Sequence, residues 1–198
     1  MKKFELTTNT VMHFGRKLFQ IRALISFLDV KAGDLGGYVE KEKNLSQEGL
    51  AWVYDGAIVC DSARVYGSAR VYGSAIVYGS AIVCDSAIVY GSARVYGSAT
   101  VCGSATVCGS ARVYGSKDYL VVGPIGSRAD FTTFYRQNDG ITMVVCGCFH
   151  GTIDEFEAKV TKTHGDNEHA IAYHAAAKLA RIQVNTEPAE EVETSENH

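Results

Sequence analysis

Between Ala51 and Ser116 hydrophobic and polar positions alternate with a period of two inside a period of six. Each copy sets Ala and Val on either side of a variable residue (Trp, Arg, Ile or Thr), follows with Tyr or Cys, and closes on a small turn-forming pair. The first three copies are Ala51-Trp-Val-Tyr-Asp-Gly, Ala57-Ile-Val-Cys-Asp-Ser and Ala63-Arg-Val-Tyr-Gly-Ser, and eleven copies run without a slip. Alternation over three residues predicts a short strand with Ala and Val facing inward. The Gly-Ser or Asp-Ser pair predicts a corner, because these residues tolerate turn conformations that β-branched ones resist. A chain that extends and bends every sixth residue is a solenoid. Three units per turn give an 18-residue triangular coil with parallel strands stacked roughly 4.8 Å apart, and the repeats make about 3.7 coils. Antiparallel hairpins are the competing reading, but the links are too short and too alike to supply distinct hairpin turns.

Open solenoid ends expose unpaired strand edges and need caps. Upstream, Leu45-Ser-Gln-Glu-Gly-Leu50 reads as a degraded copy, and Leu18–Ile25 as a strand before a turn at Gly33-Asp-Leu-Gly-Gly37. Downstream, 119–122, 131–136 and 141–146 read as three strands. A helix follows from a capping box, Thr152 with Glu155, and stops near Gly165. A second begins near Asp166, with Ile171, Ala175, Leu179 and Ile182 on one stripe. The expected organisation is an N-terminal cap over 1–44, a solenoid over 45–116, an α+β C-terminal cap over 117–184 and a disordered acidic tail over 185–198. In class this is an all-β solenoid with a small α+β cap.

Val65, Gly67, Ser68 and Ala69 match the pattern of the hexapeptide-repeat, left-handed β-helix proteins, which the coil region resembles. It departs from them at Tyr or Cys after the inward Val, where that family has a small or acidic residue. The whole chain also resembles phage and prophage proteins described as hexapeptide transferase-like. These join a Gly-Asp-Leu-Gly-Gly entry (here Gly33 to Gly37), Asn-Leu-Ser (Asn44 to Ser46) and Ala-x-Val-Tyr-Gly repeats. The resemblance implies a left-handed parallel β-helix and, for a transferase, a His general base on or near the coils with acyl-CoA between neighbouring solenoids of a trimer. Residues 45–116 hold no His and no inserted loop; the six histidines are His13, His150, His164, His169, His174 and His198. A catalytic His would have to come from a flank, from His13 or His150.

Charge narrows the partners. With 19 Lys plus Arg against 22 Asp plus Glu, nothing marks a nucleic-acid binder or mimic. No apolar run approaches the roughly 18 residues of a membrane span, and Met1-Lys-Lys-Phe-Glu5 does not open a signal peptide, so the expected setting is the cytoplasm, that of the host cell if the chain is phage-encoded. Four of the six cysteines (Cys60, Cys84, Cys102 and Cys108) occupy the Tyr slot of the repeat, as reduced fillers rather than disulfide partners. Cys146, Cys148 and His150 alternate along one expected strand and are weak candidates for a metal, while His164, Asp166 and His169 fall at the helix junction. Gly123-Pro-Ile-Gly-Ser-Arg128 has the look of a small anion-cradling loop or a strand-to-strand turn.

Stacking every third copy places the variable residues in columns: Trp52, Arg70, Ile88 and Thr106; Ile58, Ile76, Arg94 and Arg112; and Arg64, Ile82 and Thr100. Tyr54, Tyr72 and Tyr90 flank the first column, and Tyr78, Tyr96 and Tyr114 the second. Arg and aromatic side chains beside aliphatic surface are what protein interfaces are enriched in. The surface expected to act is therefore Ile58, Ile76, Tyr78, Arg94, Tyr96, Arg112 and Tyr114, all facing outward. The expected function is a non-catalytic solenoid without cofactor that binds a host protein, possible counter-defence included, or assembles with itself into a homo-oligomer.

Overall fold

A computed structural model describes residues 2–187. Two antiparallel strands, β1 (Phe4–His13) and β2 (Arg16–Ala23), open the chain, and β3 (Leu35–Val39) follows. Eleven two-residue strands, β4 to β14, run from Trp52–Val53 to Arg112–Val113 at six-residue intervals. The chain winds them into a β-solenoid of about four turns with three parallel sheets, and β3 joins the one built on Ile58–Val59. Registers match the expected columns: Trp52 pairs with Arg70, Ile88 with Arg70 and Thr106, Arg94 with Ile76 and Arg112, and Ile82 with Arg64 and Thr100.

The coil interior is Ala and Val throughout, all but closed to solvent. Small and branched residues alternate there because three strands meet at a narrow axis, where a longer side chain would overpack. Backbone N–H groups bond one coil onward, as from Tyr54 N to Val71 O at 2.8 Å and from Ser74 N to Gly91 O at 2.9 Å, so corners as well as strands are satisfied. The corner backbone is left-handed, with φ of 73° at Gly67, and Asp61 and Asp85 hold the same conformation at 59° and 56°. Each Asp is secured by its own carboxylate, which accepts the N–H of Gly79 or Gly103 in the next coil.

The N-terminal cap plugs the first coil. Trp52, at a position that faces out elsewhere, is buried under Phe4 and Phe27, with ring centroids 6.4 and 5.5 Å away. Lys3 is fully buried and donates to the carbonyls of Ala51 at 2.9 Å and of Glu48 and Gly49 at 3.4 Å, covering acceptors at the coil end. Gln47 Oε1 accepts the N–H of Lys3 at 2.7 Å, and Asn44 donates to Ala63 O at 2.8 Å. The expected turn at Gly33–Gly37 ends instead in β3. Its glycines allow the backbone to lie against the first coil: a Cβ on Gly36 would come 2.5 Å from Val53 O, and one on Gly37 2.4 Å from Ala57 O.

The C-terminal cap is a four-stranded antiparallel sheet, β15 (Tyr119–Ile125), β16 (Asp130–Arg136), β17 (Thr142–Cys146) and β18 (Phe149–Thr152), with helices α1 (Ile153–His164) and α2 (Glu168–Gln183). One face seats Tyr135 on the coil core, with Tyr119, Val121, Met143 and Val145 packed beside it; the other carries Phe134 and Val144 into the helices. Three strands were expected. The fourth arises because the chain reverses at Gly147–Cys148, which puts Cys146 and His150 on different strands. The capping box forms as expected, Thr152 Oγ1 accepting from Glu155 N at 3.2 Å. The second helix differs. Ala170, Tyr173, Ala176, Ala177 and Ala180 face the cap core, while Ile171, Ala175, Leu179 and Ile182 are exposed. The helix lies close to the sheet, and the small Ala face fits where the Ile and Leu stripe does not. The acidic tail lies outside the described residues from 188 on.

Candidate functional site

The residue after each inward Val stacks on its counterparts in neighbouring coils. Tyr72 and Tyr90 lie parallel at 5.0 Å and Tyr78 and Tyr96 at 5.1 Å, while Tyr54 meets Tyr72 at 6.0 Å and Tyr96 meets Tyr114 at 5.3 Å in tilted or edge contacts. Strand spacing near 4.8 Å matches ring stacking, which is why the slot accepts Tyr repeatedly. Cys stands where another residue takes the space. Cys108 lies 3.0 Å from Tyr135 Oη, which in turn is 2.8 Å from His150 Nε2. Cys60 sits beside the Arg16, Glu40 and Asp61 cluster, with Arg16 2.5 Å from Asp61. Cys84 and Cys102 are held between Tyr66 and Tyr119.

These slots are desolvated. Burial pushes the Cys60 thiol up to about 12 and raises Cys84, so both are held in the protonated, unreactive form. Burial and the neighbouring carboxylate of Asp29 take Tyr54 to about 12; a hydrogen bond with Cys108, then burial, takes Tyr90 there. Burial drives Tyr135 higher still. All six cysteines are free thiols.

The residues expected to make a contact face do stack as a column, but two of them do not point outward as expected. Ile58, Ile76, Arg94 and Arg112 make one column, continued by Tyr38. Tyr96, expected to face solvent, is buried at 6% exposure because Tyr78 and Tyr114 sandwich it. Arg112 Nη1 is drawn to the carbonyls of Ser92, Ser110 and Ala111 at 3.0–3.2 Å rather than projecting as an anchor. The open residue is Tyr114, 55% exposed, while Ile58, Ile76, Tyr78 and Arg94 are half-buried.

The β1–β2 hairpin adds residues that the pattern of the repeats did not reveal. Phe14, 45% exposed, packs its ring 6.1 Å from Tyr78, and Met12 beside it is 68% exposed. His13 stacks on Phe14 at 4.1 Å, and its Nε2 is buried without a hydrogen-bond partner. Burial and the nearby charge of Arg94 lower its pKa, so the ring is neutral at pH 7. The sequence signal was available only as Met12 and Phe14 alternating with His13 just before a reversal at Gly15.

The proposed metal ligands are not brought together. Cys146 accepts from Thr132 at 3.3 Å, Cys148 turns to Arg128 at 3.9 Å, and His150 points to Tyr135 on the coil side of the sheet. Among the described residues, the donors that do cluster are Cys84, Asp85 and Cys102, within 4.8 Å of one another. Asp85 is already held by Gly103 N–H. At the helix junction His164 lies 5.8 Å from both His169 and Tyr173, ring to ring. A concavity of about 560 Å³ lies between Glu42–Gln47 and Arg64–Tyr66. Its acid, Glu42, is already bound to Lys2 and Gln47.

Residues 57–79 and 69–85 match the family model described as the YdcK beta solenoid repeat. The chain is a β-solenoid repeat protein. The match lies within the coils, over the segment whose Ala, Val and corner spacing carries the winding, and it does not reach either cap. No curated protein matches the chain.

Proposed function

We propose that this β-solenoid is a phage-borne, hexapeptide-repeat binding protein that works without catalysis or cofactor, docking a side face on a protein of the host cytoplasm. One observation carries the reading: Phe14 and Tyr114 stay exposed at the two ends of the Tyr78–Tyr96 stack, with Met12 exposed two residues before Phe14 and Arg94 near His13. Aromatic, Met and Arg side chains on a preformed surface are the composition of interface anchors, and rigidity limits the ordering cost of binding. The coil interior is filled and residues 45–116 hold no His, which leaves faces and caps as the working surfaces. Replacing Arg94 and Tyr114 by Ala tests this. The melting temperature should move little, while affinity for the protein captured from host lysate should fall by about 2 kcal/mol, near 30-fold. Undiminished capture by a folded double variant would refute the face. Concentration-dependent sedimentation of the wild type, abolished by the same variant, would assign the face to self-association.

A second reading rests on His13. A neutral imidazole is the protonation state from which a general base acts, as hexapeptide-type acyl transfer needs, and its buried, unpartnered Nε2 would have to be uncovered to reach an acceptor. Acyl-CoA raising the melting temperature of the wild type but not of His13→Gln would move the assignment there. No shift in either protein removes it.

A further inference from the structure

Four elements of the C-terminal cap meet at one cavity: the turn between β15 and β16, the reversal between β17 and β18, and the facing sides of α1 and α2. It measures about 200 Å³ and includes Arg128, Cys146, Phe149, Phe156, Lys159 and Tyr173 in its wall. No carboxylate lines it. Among the described residues neither Arg128 nor Lys159 forms an ion pair, and Arg128 lies 3.9 Å from the Cys148 sulfur. Two cations without an ion-pair partner beside an aromatic floor create a local positive potential, moderated by the water that reaches both side chains.

We propose that this cavity binds a small organic anion, its charged group held between Arg128 and Lys159 and its apolar body resting on Phe149 and Phe156. The Tyr173 phenol supplies a neutral donor. Burial raises its pKa, and it bonds with Cys146 and Ser127 at the cavity wall. Gly126 makes room for that ring, since a Cβ there would fall 2.0 Å from the phenol carbon and oxygen, and its φ of 71° is left-handed. Size sets the class of ligand. The cavity is smaller than the roughly 300–1,000 Å³ of sites for drug-sized molecules, so it admits a single ring or short chain bearing one carboxylate or phosphate, and not a nucleotide. The segment 123–128, whose sequence offered both a turn and an anion loop, is a turn that delivers its Arg to this site. The inference is independent of the side face.

The full-length protein, labelled for amide NMR, is titrated with benzoate and phenyl phosphate. Benzyl alcohol serves as the uncharged control and inorganic phosphate as the control without an apolar body. At least one of the two aromatic anions should give saturable shifts at Arg128, Cys146, Phe149 and Lys159, and the tighter of the two names the charged group. Both controls should bind at least tenfold more weakly. Arg128→Gln and Lys159→Gln, both exposed positions, should each weaken the anion at least fivefold with an unchanged melting temperature. The proposal is overturned if neither anion saturates at these residues, if either control binds as well as the anions, or if both variants keep wild-type affinity.

Discussion

Asp118 is the residue on which the junction between solenoid and C-terminal cap turns. Its buried carboxylate pairs with the buried guanidinium of Arg136 at 3.0 Å and accepts the N–H groups of Tyr114 and Gly115 at 2.7 and 2.9 Å. Arg136 also donates to Glu187 O at 2.6 Å and Arg112 O at 3.4 Å. In Asp118→Ala the guanidinium loses its counter-charge, which for a buried pair costs about 3–5 kcal/mol. Two N–H groups lose their acceptor as well; beside exposed Tyr114 water reaches them, so they add about 1 kcal/mol together, at the low end for orphaned donors. The sum, about 4–6 kcal/mol, approaches the whole stability of many domains. Arg136→Met should cost less, about 1–3 kcal/mol, because Asp118 keeps both N–H donors. The double variant should then be less destabilised than the two single losses added together, by about 2 kcal/mol. Urea unfolding followed by far-ultraviolet circular dichroism supplies the cycle. Coil stacks respond locally, so the Asp118→Ala curve should split into an early loss of helix and a later loss of β-signal. An Asp118→Ala cost under about 1 kcal/mol, or additivity within about 0.5 kcal/mol, would refute the argument.

Three further outcomes follow from the coils and the N-terminal plug. Val77→Asp, which places an unpaired carboxylate in a dry interior, should abolish folding, whereas Ile76→Asp on the half-buried outer side should leave a folded protein; equal damage in soluble expression and circular dichroism would contradict the inward assignment. Cys84 and Cys102, stacked through the Val83–Val101 register, should both alkylate after denaturation without reductant, and mass spectrometry finding a stoichiometric bridge would overturn the slot-filler reading. Burial lowers Lys3 to about 8, against about 10.4 in an unfolded chain, so the unfolded state binds more protons between those values. The contribution of Lys3 to stability therefore rises from pH 8 to pH 10, and the urea midpoint of wild type relative to Lys3→Met should climb over that window; a constant difference would exclude the assigned shift.

Local pattern and long-range pairing differ in how far they can be read. The coils were legible because every determinant of their winding, an inward Ala, an inward Val and a left-handed corner, recurs within six residues. The caps depend on distant partners. Phe4–His13 carries the polar run Thr7-Thr8-Asn9-Thr10 rather than a clean alternation, and it becomes a strand only by pairing with Arg16–Ala23. Gly36 and Gly37 look like a turn until the coil backbone they touch is in place. In the second helix the stronger apolar stripe lost to the weaker one, because nearness to the sheet rewarded Ala over Ile and Leu. Tyr96 misled for a related reason: a side chain that leaves the coil outward still becomes buried when its neighbours stack on both sides. The cap cavity was visible only as fragments, since Arg128, Cys146 and Lys159 belong to three segments that share no spacing.

The one-to-one register of the coils makes this molecule a gauge as well as a support. Eighteen residues advance the axis by roughly 4.8 Å and return the chain to the same azimuth. A whole inserted turn would therefore move the hairpin end at Met12–Phe14 away from the Ile171–Ile182 stripe without changing their relative heading. A single inserted hexad would advance the cap by only a third of that distance and swing the stripe about a third of a revolution around the axis. Distance and angle between the two ends are thus quantised by copy number, and a family of chains with the same caps and different repeat counts would form a set of spacers and indexed rotors.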